Sequence, residues 1–204
     1  MIDGHFKSKI NIFWDSLASC LVAAKLSPNT ITWIGLVLVI VNCLLYLLHQ
    51  NNLLFGILLV VSFSFDALDG AVARITNSTS KYGGYLDAVV DRYQEVAIYL
   101  TIAYVNQYWI VCFIAITGSL LISYNKARVA IEITINNEKW PDLTERLERI
   151  FLICSGLILT PFIQLPDSLN QSFLFYVILI IGFLSHFTAI QRFFRARRLL
   201  LGKK

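Results

Sequence analysis

Long apolar runs alternate with short polar breaks along this chain. The apolar stretches cover roughly 29–48, 53–73, 84–105, 108–128, 147–164 and 171–191. Each approaches the ~20 residues a helix needs to cross a bilayer. The breaks carry turn residues: HQNN at 49–52, TNSTSKYGG at 76–84, VNQY at 105–108, NNEKWPDLTERLER at 136–149 and QLPDSLNQS at 164–172. Ahead of the first run, Phe6, Ile10, Phe13, Trp14, Leu17 and Leu21 recur at helical spacing, with Lys7, Lys9, Asn11 and Asp15 elsewhere. This predicts an amphipathic helix lying in the membrane interface. Ser27-Pro28-Asn29 then breaks it and opens the first span. The expected architecture is an all-α integral membrane protein with a single domain over 1–204. A juxtamembrane amphipathic helix occupies 1–25, and six transmembrane helices occupy 28–198.

Composition agrees. Of 204 residues, 57% are hydrophobic and 15% charged, against about 25% charged in a soluble domain. Residues 1–25 contain Asp3, Lys7, Lys9 and Asp15 and no small-residue cleavage site, so no cleaved leader is expected. Cys20, Cys43, Cys112 and Cys154 are scattered singly and read as apolar packing residues. His5, His49 and His186 are isolated, and the four tryptophans fit interface positions. No nucleic-acid partner is expected.

The placement of charge says more than its sum. All seventeen Lys and Arg fall in 1–28, 74–92, 126–149 and 192–204. Alternate breaks carry none, which puts both termini and these stretches on the cytoplasmic side. Asn77-Ser78-Thr79 matches a glycosylation sequon but faces the cytoplasm in this topology.

Four carboxylates interrupt the apolar pattern. Asp66 and Asp69 are i and i+3, and Asp87 and Asp91 are i and i+4, so each pair shares a helix face. A short polar loop joins the two helices, so antiparallel packing would bring the pairs together. Converging carboxylates need compensation, and hard oxygen ligands suit Mg²⁺, Mn²⁺ or Ca²⁺. Two such ions form the clamp used for in-line phosphoryl displacement. Gly70, Ala71, Ala73, Gly83 and Gly84 allow close approach, and Arg74 can meet a phosphate with its planar fork. Spacing alone leaves two alternatives open: ion pairing with Arg74, Lys81 and Arg92, or an ion pathway through a transporter.

The arrangement resembles the CDP-alcohol phosphotransferase family. The signature D-x-x-D-G-x-x-A-R, eight residues, then G-x-x-x-D-x-x-x-D stands complete as Asp66, Asp69, Gly70, Ala73, Arg74, Gly83, Asp87 and Asp91. The resemblance implies transfer of a phosphatidyl-type group from a CDP-linked lipid to an alcohol, with release of CMP. It implies that Asp66, Asp69, Asp87 and Asp91 hold two divalent cations, Mg²⁺ or Mn²⁺, with Asp91 also the general base. It places Asn29, Asp69, Gly70, Ala73, Arg74 and Gly83 around the cytidine nucleotide, and it implies a homodimer.

The acceptor is read from basic residues. Ser123, Lys126 and Arg128 form an S-x-x-K-x-R face in SYNKAR, and Arg146 and Arg149 lie in TERLER. This resembles the branch that makes phosphatidylinositol phosphate and archaetidylinositol phosphate. By that resemblance Ser123, Lys126, Arg128, Arg146 and Arg192 hold the phosphate of an acceptor polyol, inositol phosphate being favoured. The first alternative is a phosphatidylglycerol-phosphate synthase using glycerol 3-phosphate. Its relatives usually carry D-P after the third aspartate, where Ala88 stands here.

Overall fold

A computed structural model describes residues 17–133, 144–166 and 168–202, and every regular element among them is a helix. A helical segment at 17–23 (α1) precedes α2 (Pro28–His49), α3 (Asn52–Ile75), α4 (Lys81–Asn106), α5 (Trp109–Glu132), α6 (Arg146–Leu159) and α7 (Phe173–Leu200). Residues 1–16 of the expected interfacial helix lie outside the described residues.

The breaks in hydropathy become helix ends for identifiable reasons. Ser27 Oγ accepts the Thr30 N–H at 3.2 Å, with Pro28 in the first helical position where its missing N–H costs nothing. Asn51 Oδ1 accepts from Leu54 N at 3.1 Å, and Ser80 Oγ from Gly83 N at 3.0 Å, capping α3 and α4. Glu145 and Glu148 cap α6 reciprocally. At the opposite ends, Lys25, Gln50, Asn77 and Gln107 turn left-handed, with φ of 57°, 49°, 51° and 60°. After α3, Asn77 N donates to Arg74 O and Ser78 N to Ala73 O, the paired bonds that close a helix C-terminus. The sequon asparagine therefore has a structural task, since asparagine adopts this conformation more readily than most residues.

The chain forms two compact units. The first draws on residues up to Leu45 and on Leu58–Ala97. Here α1 and α2 pack on α3 through Ala18, Ile31, Leu68, Ala71 and Val72. Leu36 meets Leu86 and Val90, joining α2 to α4. Asn42 Nδ2 donates to Ser62 Oγ (2.6 Å) and Leu58 O (3.1 Å), a polar clasp between two apolar helices.

The second unit draws on Tyr46–Ile57 and the chain from Ile98 onward. Its main contact is α5 on α7. A Cβ at Gly118 would lie 2.7 Å from Ser185 Cβ and 3.1 Å from His186 N, so only glycine permits this approach. Asn125 Nδ2 donates to Ala189 O at 3.0 Å, and Arg192 Nη1 donates to Ile122 O at 2.5 Å, tying the same two helices. Gly156 of α6 packs equally closely on Val177 of α7.

Four helices, α2, α3, α5 and α7, are long and apolar enough to cross a membrane, with mean hydropathy of 2.5, 1.8, 1.5 and 2.2. Much of their apolar surface is unburied, as at Leu48, Phe113 and Phe183, which suits hydrocarbon as solvent. The other two expected spans differ in kind. α4 has 26 residues but carries Lys81, Asp87, Asp91, Arg92 and Glu95, and α6 has only 14 residues. What stands is an all-helical, multi-pass membrane protein.

Candidate active site

The C-terminal part of α3 and the N-terminal part of α4 carry the four aspartates within the first unit. The loop between them, 76–80, is short because Asn77 closes α3 and Ser80 opens α4. Carboxylate oxygens of Asp66, Asp87 and Asp91 lie within 4.8 Å of one another. Oxygens sharing one cation at 2.0–2.6 Å sit no farther apart than about 5 Å. The spacing and the all-oxygen donor set therefore fit a hard divalent ion.

Asp69 is placed differently. It is 8% exposed, and its Oδ2 accepts a 2.5 Å hydrogen bond from Thr32 Oγ1, which is 3% exposed. Asp69 lines a cavity of about 240 Å³ together with Asn29, Gly70, Ala73, Gly83 and Asp87. Five residues expected around the nucleotide thus surround one cavity, bordered by one of the clustered aspartates. Arg74 is not in its lining, but the Arg74 Nη1 lies 3.5 Å from where a Gly70 Cβ would be. Gly83 is closely fitted as well. Its Cβ would lie 3.2 Å from Ser80 Oγ and 3.3 Å from Asn29 Oδ1. Asp91 is 7% exposed, and its Oδ2 lies 3.2 Å from Arg92 Nη2.

Thr32, Ser78, Thr79 and Ser80 also line the cavity; the sequence marks Ser78 and Thr79 only as part of a sequon and places none of the four at the site. Thr32 had a readable signal: it stands one turn after Asn29 in SPNTIT. The hydroxyls at 78–80 looked like loop polarity and had none.

The residues expected to hold the acceptor all belong to the second unit. Ser123 Oγ bonds back to Ser119 O at 3.4 Å, and Lys126 is half-buried. Arg128 Nη1 pairs with Glu132 Oε1 at 2.7 Å, both about half exposed. Arg146 begins α6, and Arg149 one turn later is buried. Arg192 is buried and bonded to α5.

The pattern defining the CDP-alcohol phosphatidyltransferases matches residues 25–188, which span every helix from α2 to most of α7. The chain belongs to this family. It is therefore a transferase of phospholipid biosynthesis, and the family depends on divalent cations. The archaetidylinositol phosphate synthase of Pyrococcus horikoshii is 35% identical over 68% of this chain and 73% of its own length. The phosphatidylinositol phosphate synthase of Corynebacterium glutamicum is 29% identical over 78% of this chain and 75% of its own. A bifunctional IPC transferase and DIPP synthase of Thermococcus kodakarensis is 33% identical, but the match spans only 30% of that longer protein. Among solved structures, the Mycobacterium tuberculosis phosphatidylinositol phosphate synthase with CDP-DAG bound superposes with a TM-score of 0.76. It covers 90% of this chain and 92% of the other at 24% identity, a likeness of fold. The same enzyme has been solved in complex with manganese and citrate.

Proposed function

We propose that this protein transfers a phosphatidyl group from CDP-diacylglycerol to inositol phosphate and releases CMP. The observation that carries this reading is the convergence of Asp66, Asp87 and Asp91 beside the cavity lined by Asn29, Asp69, Gly70, Ala73 and Gly83. The names of the relatives from Pyrococcus and Corynebacterium support the acceptor.

Asp66, Asp69, Asp87 and Asp91 would hold two divalent ions, Mg²⁺ or Mn²⁺. When bound, these ions neutralise charge on the donor pyrophosphate and on the departing phosphate. The protein's own groups do the remainder. Asn29, Gly70, Ala73 and Gly83 enclose the cytidine, and Arg74 meets a donor phosphate. The Asp91 carboxylate takes the proton from the acceptor hydroxyl as its oxygen bonds to the phosphatidyl phosphorus. The bond from that phosphorus to the bridging oxygen breaks, and CMP leaves with the electron pair. Ser123, Lys126, Arg128, Arg146 and Arg192 bind the acceptor's own phosphate. That requires Arg128 to exchange its exposed Glu132 partner for a phosphate, a substitution of one anion for another.

The same reading gives α4 and α6 as two further crossings, for six in all. At 1.5 Å per residue, the 26 residues of α4 reach about 39 Å, ample for a ~30 Å hydrocarbon core. The 14 residues of α6 need the segment after Leu159 to complete the crossing. The confinement of Lys and Arg to alternate stretches supports a cytoplasmic site and cytoplasmic termini. A homodimer completes the proposal, on the family resemblance.

The test is CMP release by purified protein with CDP-diacylglycerol and Mg²⁺ or Mn²⁺. Inositol 1-phosphate, glycerol 3-phosphate, free inositol and serine are compared in parallel. Turnover with inositol phosphate alone is expected. Turnover with glycerol 3-phosphate alone would keep the reaction and overturn the acceptor. Silence with all four would overturn the proposal.

A further inference from the structure

Two buried threonines meet within the second unit. Thr144, directly before the Glu145 cap of α6, is 4% exposed, and Thr188 of α7 is 0% exposed. Their hydroxyl oxygens lie 2.8 Å apart. Thr188 Oγ1 also donates to Leu184 O at 2.8 Å, the bond a helical threonine makes back to its preceding turn. A hydroxyl has one hydrogen, so that of Thr188 is taken. Thr144 Oγ1 is therefore the donor within the pair, its other acceptor, Leu184 O, being farther off at 3.4 Å. Burying a hydroxyl is costly unless it is hydrogen-bonded, so this pairing ties Thr144 to α7.

The contact lies among the basic residues of two helices. Arg146 and Arg149 follow Thr144 by two and five residues, in the first turns of α6. Leu184, Thr188 and Arg192 stand at i, i+4 and i+8, on one face of α7. Arg192 is itself anchored to α5, its Nη1 donating to Ile122 O at 2.5 Å. α6 has only 14 residues and meets α7 farther along at Gly156, where a Cβ would lie 2.9 Å from Val177 Cγ1. That packing is apolar and non-directional. The bond from Thr144 to Thr188 is directional, and it acts at the end of α6 that carries the arginines.

We infer that Thr144 is a positioning residue for acceptor binding, its hydroxyl holding the first turn of α6 on α7 and so setting the spacing of Arg146 from Arg192. The inference rests on the reading of those arginines as ligands of the acceptor phosphate. Guanidinium and phosphate bond at about 2.7–2.9 Å, so a phosphate shared by two helices is sensitive to their spacing. The cavity assigned to the donor nucleotide is lined from the first unit, and its residues take no part in this contact.

The test is steady-state CMP release by the full-length protein in detergent micelles, with inositol 1-phosphate and CDP-diacylglycerol each varied. Thr144→Val keeps the shape and removes the donor, and Thr188→Val removes the acceptor of the same bond. Each should raise the KM for inositol phosphate about 3- to 10-fold, the effect of one hydrogen bond, with kcat and the KM for the CDP-lipid nearly unchanged. The double variant should lose no more than either single one, because both break one contact. Thr144→Ser keeps the hydroxyl and should stay within about twofold of the wild type. Tyr108→Phe breaks the bond to Ser172 at the far end of α7 and controls for stability alone. It should lower the melting temperature and leave both KM values unchanged. A wild-type acceptor KM in either folded valine variant, additive losses in the double variant, or an equal rise in Thr144→Ser would overturn the inference. An unchanged acceptor KM in Arg146→Gln would instead overturn the reading of the arginines on which it rests.

Discussion

Replacing Thr32 with valine removes one hydroxyl and almost no volume. That hydroxyl donates to Asp69 Oδ2 at 2.5 Å, with both side chains buried. It also lies 3.1 Å from Pro28 O, but a hydroxyl has one hydrogen, and the shorter contact to a charged acceptor takes it. A hydrogen bond to a charged group contributes about 1.5–3 kcal/mol, more than a neutral one. At room temperature that corresponds to about a 10- to 150-fold effect. Bound cations would share the charge of Asp69, so the loss should fall near the lower end, about tenfold. The assay is CMP release over a matrix of donor and Mg²⁺ concentrations. Thr32→Val should lower kcat/KM for the CDP-lipid about tenfold, and Thr32→Ser should stay within about threefold of the wild type. Wild-type kinetics in Thr32→Val would refute the assignment of Thr32 as the group that orients Asp69. An equal loss in Thr32→Ser would shift the cause from the hydroxyl to the methyl packing.

Further outcomes follow from the same geometry. Gly83→Ala puts a methyl 3.3 Å from Asn29 Oδ1, so the KM for the CDP-lipid should rise several-fold while the KM for the acceptor is unmoved, in steady-state assays varying each substrate. Chelation with EDTA should abolish CMP release, and Mg²⁺ or Mn²⁺ should restore it; Asp87→Asn should lose at least about a hundredfold in rate at any metal concentration. Gly118→Ala would drive a methyl to 2.7 Å from Ser185 Cβ and should destabilise the α5–α7 pair by about 1–3 kcal/mol, read as a lower melting temperature. Ser80→Ala should cost about 1 kcal/mol of α4 stability, and slower proteolysis at 76–80 than in the wild type would contradict that cap.

Hydropathy located α2, α3 and α5 to within a few residues, because their ends coincide with the ends of apolar runs. It placed the end of the last span near 191, whereas α7 continues to Leu200. The reason is physical: the final turns carry Arg192, Arg195, Arg197 and Arg198, which end membrane burial without ending a helix. The fifth apolar run extends to 164, but α6 stops at Leu159, with Thr160 as its C-cap and Pro161 next. At the site, aspartates spaced at three and four residues on neighbouring helices were legible because the helical period fixes which side chains share a face. The hydrogen bond from Thr32 to Asp69 was not, because it joins residues 37 apart and depends on how α2 lies against α3.

The central claim is metal-dependent transfer onto inositol phosphate at the aspartate cluster. The most direct measurement follows radiolabelled inositol 1-phosphate into organic-extractable lipid, with CDP-diacylglycerol, for the wild type and Asp91→Asn. The account predicts labelled lipid and equimolar CMP only with divalent cation, and neither product from Asp91→Asn. Labelled lipid formed in EDTA, or undiminished in Asp91→Asn, would contradict it.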